Sequence, residues 1–134
     1  MLAAVFLGGV AGGLARYGIT EIWPVRPDTF PWPTFGINTC GAFALALLLV
    51  GVKIVWPTQT YLRPLLGTGF LGAFTTFSAV TTTSQQLLAH GLVGTATAYL
   101  VASLAAALVA TSFGLLLGRA VAARRIAPNG GRRQ

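Results

Sequence analysis

The sequence predicts an all-α integral membrane protein with four transmembrane helices. Residues 1–126 form one four-helix transmembrane unit, and residues 127–134 form a polar C-terminal tail. Three observations carry this reading. Of 134 residues, 54% are hydrophobic and only 8% charged, where a soluble domain has roughly a quarter. Four apolar stretches approach the about 20 residues that cross a hydrocarbon core of about 30 Å. Between them fall Pro-rich, Trp-bearing or Gly-bearing breaks. A soluble enzyme and a disordered tail are both excluded by this composition. One Cys and one His make neither a disulfide framework nor a zinc site.

The first stretch runs from about Leu2 to Ile19 and contains Arg16. It lacks a basic leader and carries its arginine late, so it reads as a span and not as a cleaved signal. Pro24, Pro27, Pro31 and Pro33 with Asp28 mark an extramembrane loop. The second stretch covers Thr34 to Val52, and a second loop runs from Lys53 to Arg63 through Trp56-Pro57. The third extends from Leu62 to near Leu88 and the fourth from Leu92 to Gly118, joined by a tight turn at His90-Gly91. Trp23, Trp32, Trp56 and Tyr61 fall at span ends, where amphipathic rings favour the headgroup layer.

Nine basic residues against two acidic give a net charge of +7. Nucleic acid is not the reason, because most of the basic residues lie outside or at the edges of the apolar runs. With four spans, Lys53, Arg63, Arg119, Arg124, Arg125, Arg132 and Arg133 share one side with both termini. The other side has Arg26, offset by Glu21 and Asp28. The positive-inside rule therefore places both termini in the cytoplasm of a plasma-membrane protein.

Glycines recur at helical spacing. Gly8, Gly9, Gly12 and Gly13 make two overlapping G-x-x-x-G pairs, and Gly114 with Gly118 makes a third. In lipid, such small residues let helix backbones approach closely, here within the subunit and against a second one. Gly67-Thr68-Gly69-Phe70-Leu71-Gly72 matches a dinucleotide fingerprint in letters only. It has no preceding strand, and no carboxylate side chain follows Asp28.

The third stretch, from Leu62 to Leu88, would be about 40 Å long as a continuous helix, too long for an untilted span. Gly67, Gly69 and Gly72 in its first half allow two readings. In one, the helix breaks and frees backbone carbonyls near mid-membrane, where transporters bind ions. In the other, it is merely kinked for packing. Nine of the twelve residues from Thr75 to Gln86 are Thr, Ser or Gln, more than interhelical hydrogen bonding requires, which points toward a lined pathway. Thr75, Ser78, Thr82 and Gln85 make one stripe at helical spacing. Asn38 in the second span, and Tyr99 with Ser103 one turn apart in the fourth, add donors. Arg16 either snorkels to the interface near Glu21 or faces a water-filled vestibule that gathers anions.

Three blocks resemble the small fluoride channel family (Fluc, also called CrcB). They are Gly9-Val-Ala-Gly12-Gly-Leu-Ala-Arg16-Tyr17, Pro33-Thr-Phe-Gly36-Ile-Asn38-Thr-Cys-Gly41-Ala-Phe43, and Gly69-Phe-Leu-Gly72-Ala-Phe-Thr75-Thr76-Phe77-Ser78. The third is the most specific. The resemblance implies a four-helix subunit whose third helix is broken at mid-membrane. Two such subunits would pair as an antiparallel, dual-topology-type dimer with two pores. It further implies one structural, non-transported Na+ held by backbone carbonyls, which by motif position belong to Gly72 and Thr75. Asn38, Ser78, Tyr99 and Ser103 would then stand in for water around fluoride, with the ring edge of Phe77, positive by its quadrupole. Passive export of fluoride from the cytoplasm, which lowers its toxicity, is the implied function.

Two positions depart from the family pattern F-S-T-F-S-x-E: Val80 replaces the second phenylalanine and Thr83 the glutamate. With the one-sided charge, this suggests a heterodimer with an oppositely oriented paralogous subunit. Two rival functions remain, a small proton-coupled four-helix drug exporter and a non-transporting membrane scaffold. The exporter needs an embedded carboxylate, and only Glu21, at a span end, and Asp28, in a loop, are available.

Overall fold

A computed structural model describes residues 1–55 and 60–126. Every regular element among them is helical: α1 (Leu2–Ile22), α2 (Trp32–Val55), a π-helical segment (Arg63–Leu71), α3 (Gly72–Phe74), α4 (Phe77–Ala89) and α5 (Val93–Ile126). Trp56 and Pro57 of the second loop, and the tail 127–134, lie outside the described residues. Four segments are long and apolar enough to cross a membrane: Leu2–Ile22, Trp32–Val52, Arg63–Ala89 and Val93–Arg124.

The ends follow from local chemistry. α1 stops before Trp23, held at φ −124°, ψ 73°, because the ring of Pro24 disfavours the helical region for its predecessor. α2 begins at Trp32-Pro33, where proline's missing N–H costs nothing. α4 closes in a Schellman turn, with Gly91 N–H donating to Leu88 and Leu92 N–H to Leu87. That turn puts Gly91 at φ +76°, a conformation that carries a steric penalty for any residue with a Cβ. Gly91→Ala should cost about 1–2 kcal/mol, read as a lower melting temperature in detergent with fluoride transport retained.

The helices pair closely. α2 runs along α5, α1 lies on the π-helical segment and α3, and α4 packs on α5. Glycine makes both long contacts possible. A Cβ at Gly114 would sit 2.8 Å from the Ala46 Cβ, and one at Gly118 would sit 2.9 Å from the Val50 Cβ. On the other side, Gly8 and Gly12 of α1 face the backbone of Leu65 and Phe70, while Gly69 faces Val5 O and Gly8. Gly67 and Gly69 of the third span are thus helical and buried. The wider winding there is visible at Gly72, whose N–H reaches the Gly67 carbonyl five residues back.

Little of the chain is covered. Gly8 and Gly12 are the buried residues of α1, while Phe6, Leu7 and Leu14 are more than 60% exposed. In a membrane these faces meet lipid or another chain. The small core joins Val80 and Leu87 of α4 to Ala96 and Tyr99 of α5. Phe30 closes it edge-on over Tyr99, with ring centroids 5.3 Å apart and planes at 88°. That contact fastens the first loop onto the helix carrying Tyr99 and Ser103. Trp23, Trp32 and Tyr61 are all exposed at span ends.

Candidate ion-binding and permeation site

Between α3 and α4 the backbone is extended at two residues, Thr75 (φ −84°, ψ 149°) and Thr76 (φ −151°, ψ 120°). Threonines suit this because their β-branched side chains favour extended backbone and their hydroxyls replace helical partners. Thr75 donates both its N–H (3.0 Å) and its hydroxyl (2.9 Å) to the Leu71 carbonyl. Thr76 is the N-cap of α4, its Oγ1 accepting from Ala79 N–H at 3.2 Å. The same oxygen lies 2.9 Å from Ser78 Oγ.

Asn38 completes the arrangement from α2. Its Oδ1 accepts the Thr76 N–H at 2.8 Å, and its Nδ2 donates to the Thr76 carbonyl at 2.9 Å. A continuous α-helix would aim Thr76 N–H at the Gly72 carbonyl and Ala79 N–H at the Thr75 carbonyl, four residues back. Both amides are engaged elsewhere. The Gly72 and Thr75 oxygens are therefore relieved of their helical partners. Among the described residues, no three His, Cys, Asp or Glu side chains come together. Two neutral carbonyl oxygens are a donor set that suits a small hard cation and not a soft transition metal.

Beside this linker lies a groove of about 380 Å³, walled by Asn38, Thr75, Thr76, Phe77, Val80 and Ser103 together with apolar side chains of α2 and α5. Ser103 is 7% exposed and Tyr99 is 0% exposed, and the buried hydroxyl oxygens of both make no hydrogen bond among the described residues, the Thr34 side chain lying close to that of Tyr99. An unpaired hydroxyl out of water costs about 1–3 kcal/mol. The two lie on neighbouring turns of α5. Phe77, by contrast, is 63% exposed, and Ser78 and Gly72 are exposed beside it.

Arg16 is half-buried and borders a second cavity of about 220 Å³ with Thr20, Thr34 and Thr76. Its side chain therefore borders a space that reaches the linker. The structure brings Asn38, Thr75, Phe77 and Ser103 to one groove and Arg16 to the adjoining cavity. Tyr99 sits one turn from Ser103, packed in the core, and Ser78 is tied to the Thr76 hydroxyl. Thr76, the wall common to both cavities, is the position sequence reading did not single out. Its signal was present as a Thr, a favoured N-cap residue, at the start of the polar half of the span.

The polar residues of the third span divide into two groups. Ser84 bonds back to the Val80 carbonyl and Thr81 to the Ser78 carbonyl, satisfying their hydroxyls within their own helix. Ser78, Thr82 and Gln85 are exposed on its outer face. Of the two departing positions, Val80 is 2% exposed in the core. Thr83 borders a third cavity of about 370 Å³, beside Arg26, Gln86 and His90.

Four helices long and apolar enough to cross a membrane, the third carrying an extended Thr-Thr pair, define a polytopic membrane protein. The model of the family described as CrcB-like protein, Camphor Resistance (CrcB), matches residues 3–115. The chain belongs to the CrcB family. It is 49% identical over 126 residues to a Streptomyces avermitilis protein named fluoride-specific ion channel FluC 3, covering 94% of this chain and 62% of that one. A second protein of that organism, FluC 2, is 43% identical over 78% of this chain and 66% of its own length. This chain thus spans just under two thirds of both. The Mycolicibacterium paratuberculosis protein named fluoride-specific ion channel FluC 1 is 42% identical, over 92% of this chain and 94% of its own length.

Proposed function

We propose that this chain is a subunit of a fluoride-selective channel that exports fluoride passively from the cytoplasm. The observation that carries the reading is the pair of buried, unpartnered hydroxyls of Tyr99 and Ser103. Fluoride is small, strongly hydrated and a powerful acceptor, so a narrow path must replace its lost water with donors. Ser103 supplies such a donor in a groove whose other walls are largely apolar, and Tyr99 lies one turn away, packed in the core. Ser78 and the ring edge of Phe77 extend the path, and Arg16 draws anions toward its entrance. With a negative cell interior, fluoride released from neutral HF inside the cell is driven outward.

In this reading the extended Thr75–Thr76 linker breaks the third helix near mid-membrane, where irregular backbone is tolerated only when buried or facing a cavity. The carbonyls of Gly72 and Thr75 hold a structural Na+ that is not transported. Two oxygens are a fraction of a sodium shell, and a second subunit, packed antiparallel, contributes the same pair. The exposed faces of α1 and α4 supply surface for that partner and for lipid. Both termini are cytoplasmic by the arginine distribution. The core valine at position 80 and the threonine at 83 favour a paralogous, oppositely inserted partner over a second copy of this chain.

Fluoride-loaded liposomes and a fluoride electrode test the reading. Fluoride efflux with chloride excluded is expected. Replacing sodium by a large organic cation should lower the melting temperature of the purified protein and slow efflux. Proton-coupled export of organic cations would identify an exporter, and silence in every assembly would leave a scaffold. Co-expression with an oppositely charged-loop paralogue should raise flux at least about tenfold above the chain alone. Robust efflux from the chain alone defeats the heterodimer.

A further inference from the structure

We propose that Asn38 is a positioning residue: its side-chain amide holds the Thr75–Thr76 linker extended and so releases the Gly72 and Thr75 carbonyls for the cation. The proposal rests on the channel reading above and assigns Asn38 a task other than contact with the permeating ion.

The geometry is reciprocal. Thr76 N–H donates to Asn38 Oδ1 at 2.8 Å while Asn38 Nδ2 donates to Thr76 O at 2.9 Å. One primary amide thus engages both polar groups of a single residue's backbone, as a neighbouring strand does with the residue opposite it in an antiparallel pair. It fits Thr76, whose φ of −151° and ψ of 120° lie in the strand region. Few other side chains can do this, since one arm must accept and the other donate. Without it, Thr76 N–H has an alternative acceptor close by in sequence, the Gly72 carbonyl four residues back. Taking that acceptor would rebuild the helical turn and occupy one of the two oxygens assigned to the cation. The amide therefore biases a choice between a closed helix and an open linker.

Local packing fits the extended linker. Asn38 is half-buried at the groove, and one turn along α2 Gly41 presents no Cβ to Thr75, whose Cγ2 fills that place. The Thr75 hydroxyl is already committed to Leu71 O at 2.9 Å, which anchors the linker on the α3 side. Asn38 anchors it from α2. One Asn38 N–H hydrogen is used in this way, and the groove it borders is the one that Ser103 walls.

The test compares Asn38→Leu, similar in volume and without polar atoms, with the wild type in whichever dimer conducts. Two quantities are read: the sodium concentration giving half-maximal thermal stabilisation, and fluoride efflux. The expected result is a rise of at least about tenfold in the sodium midpoint, with efflux partly restored by raising sodium. If Asn38 served only as a donor to fluoride, efflux would fall with the sodium midpoint unchanged, and that result overturns the proposal. Should Asn38→Leu not yield folded protein, Asn38→Ser is read against the same two outcomes, because a short hydroxyl cannot span both groups of Thr76. A wild-type protein lacking both fluoride efflux and sodium-dependent stabilisation overturns the channel reading itself. That failure is seen before any substitution is made.

Discussion

Tyr99→Phe and Ser103→Ala should each slow fluoride transport by about 10–100-fold while leaving the protein as stable as the wild type or more so. The two halves of that expectation come from one observation, the burial of both hydroxyls without a partner. Removing a buried, unsatisfied hydroxyl relieves a desolvation cost of about 1–3 kcal/mol. Tyr99 is fully covered by Val80, Leu87 and Ala96, so its ring packing is kept when the oxygen is lost. Ser103→Ala likewise removes one atom beside the groove and creates only a small space. Transport has the opposite sign. A hydrogen bond to a charged acceptor contributes about 1.5–3 kcal/mol, and each 1.4 kcal/mol is a factor of ten in rate. The loss appears only when the anion is present, so it falls on flux and not on folding.

The measurement pairs a thermal melt of the purified protein with efflux from liposomes. Variants that conduct like the wild type would show that the pathway bypasses α5. Slower flux accompanied by a lower melting temperature would show that these hydroxyls stabilise the subunit through partners in the assembled dimer. Phe77→Leu gives a useful contrast. Its ring is 63% exposed, so truncation should hardly move the subunit's own packing, while the polarised ring edge is lost to the ion.

The four spans are legible because bilayer thickness imposes a length that hydropathy windows detect. Hydropathy marks the bilayer and not the helix, however. The first stretch reads to Ile19 and the fourth to Gly118, yet α1 continues to Ile22 and α5 to Ile126. For α5 the extra length is about two turns, carried by Ala and Arg, which favour helix in water or headgroups alike. The π winding from Arg63 to Leu71 leaves no periodic signature of its own. α1 packs against it at Gly69, a tertiary contact that residue types alone do not reveal. Asn38, Tyr99 and Ser103 can be named as polar residues in apolar runs, but what they touch cannot. Asn38 reaches a peptide 38 residues away, and among the described residues the hydroxyls of Tyr99 and Ser103 make no hydrogen bond, with the Thr34 side chain close to that of Tyr99. Such pairings depend on helix rotation and crossing, which residue types alone do not fix.

Gly12→Val should abolish folding, whereas Gly13→Val on the same helix should be tolerated. The two residues are chain neighbours of identical type in the same glycine cluster, so propensity and hydropathy treat them alike. Packing separates them. A Cβ built on Gly12 lands on the carbonyl oxygen of Phe70 and 3.0 Å from its Cα, and one on Gly8 lands on the Leu65 carbonyl and 2.9 Å from Phe70 N. These are backbone atoms, unable to swing aside as a side chain would, so the whole α1 contact must open. That contact is a principal covering of the π-helical segment, and overpacking it costs about 1–3 kcal/mol or more even where neighbours can adjust. At Gly13, as at Gly9, nothing lies within 4 Å of a built Cβ, and the side chain would project toward lipid or a partner. Yield of monodisperse protein after detergent extraction reads the outcome. Wild-type yield of Gly12→Val would show that α1 does not dock on Phe70. Normal yield of Gly13→Val as subunits that no longer associate would instead place the partner on the Gly9–Gly13 face.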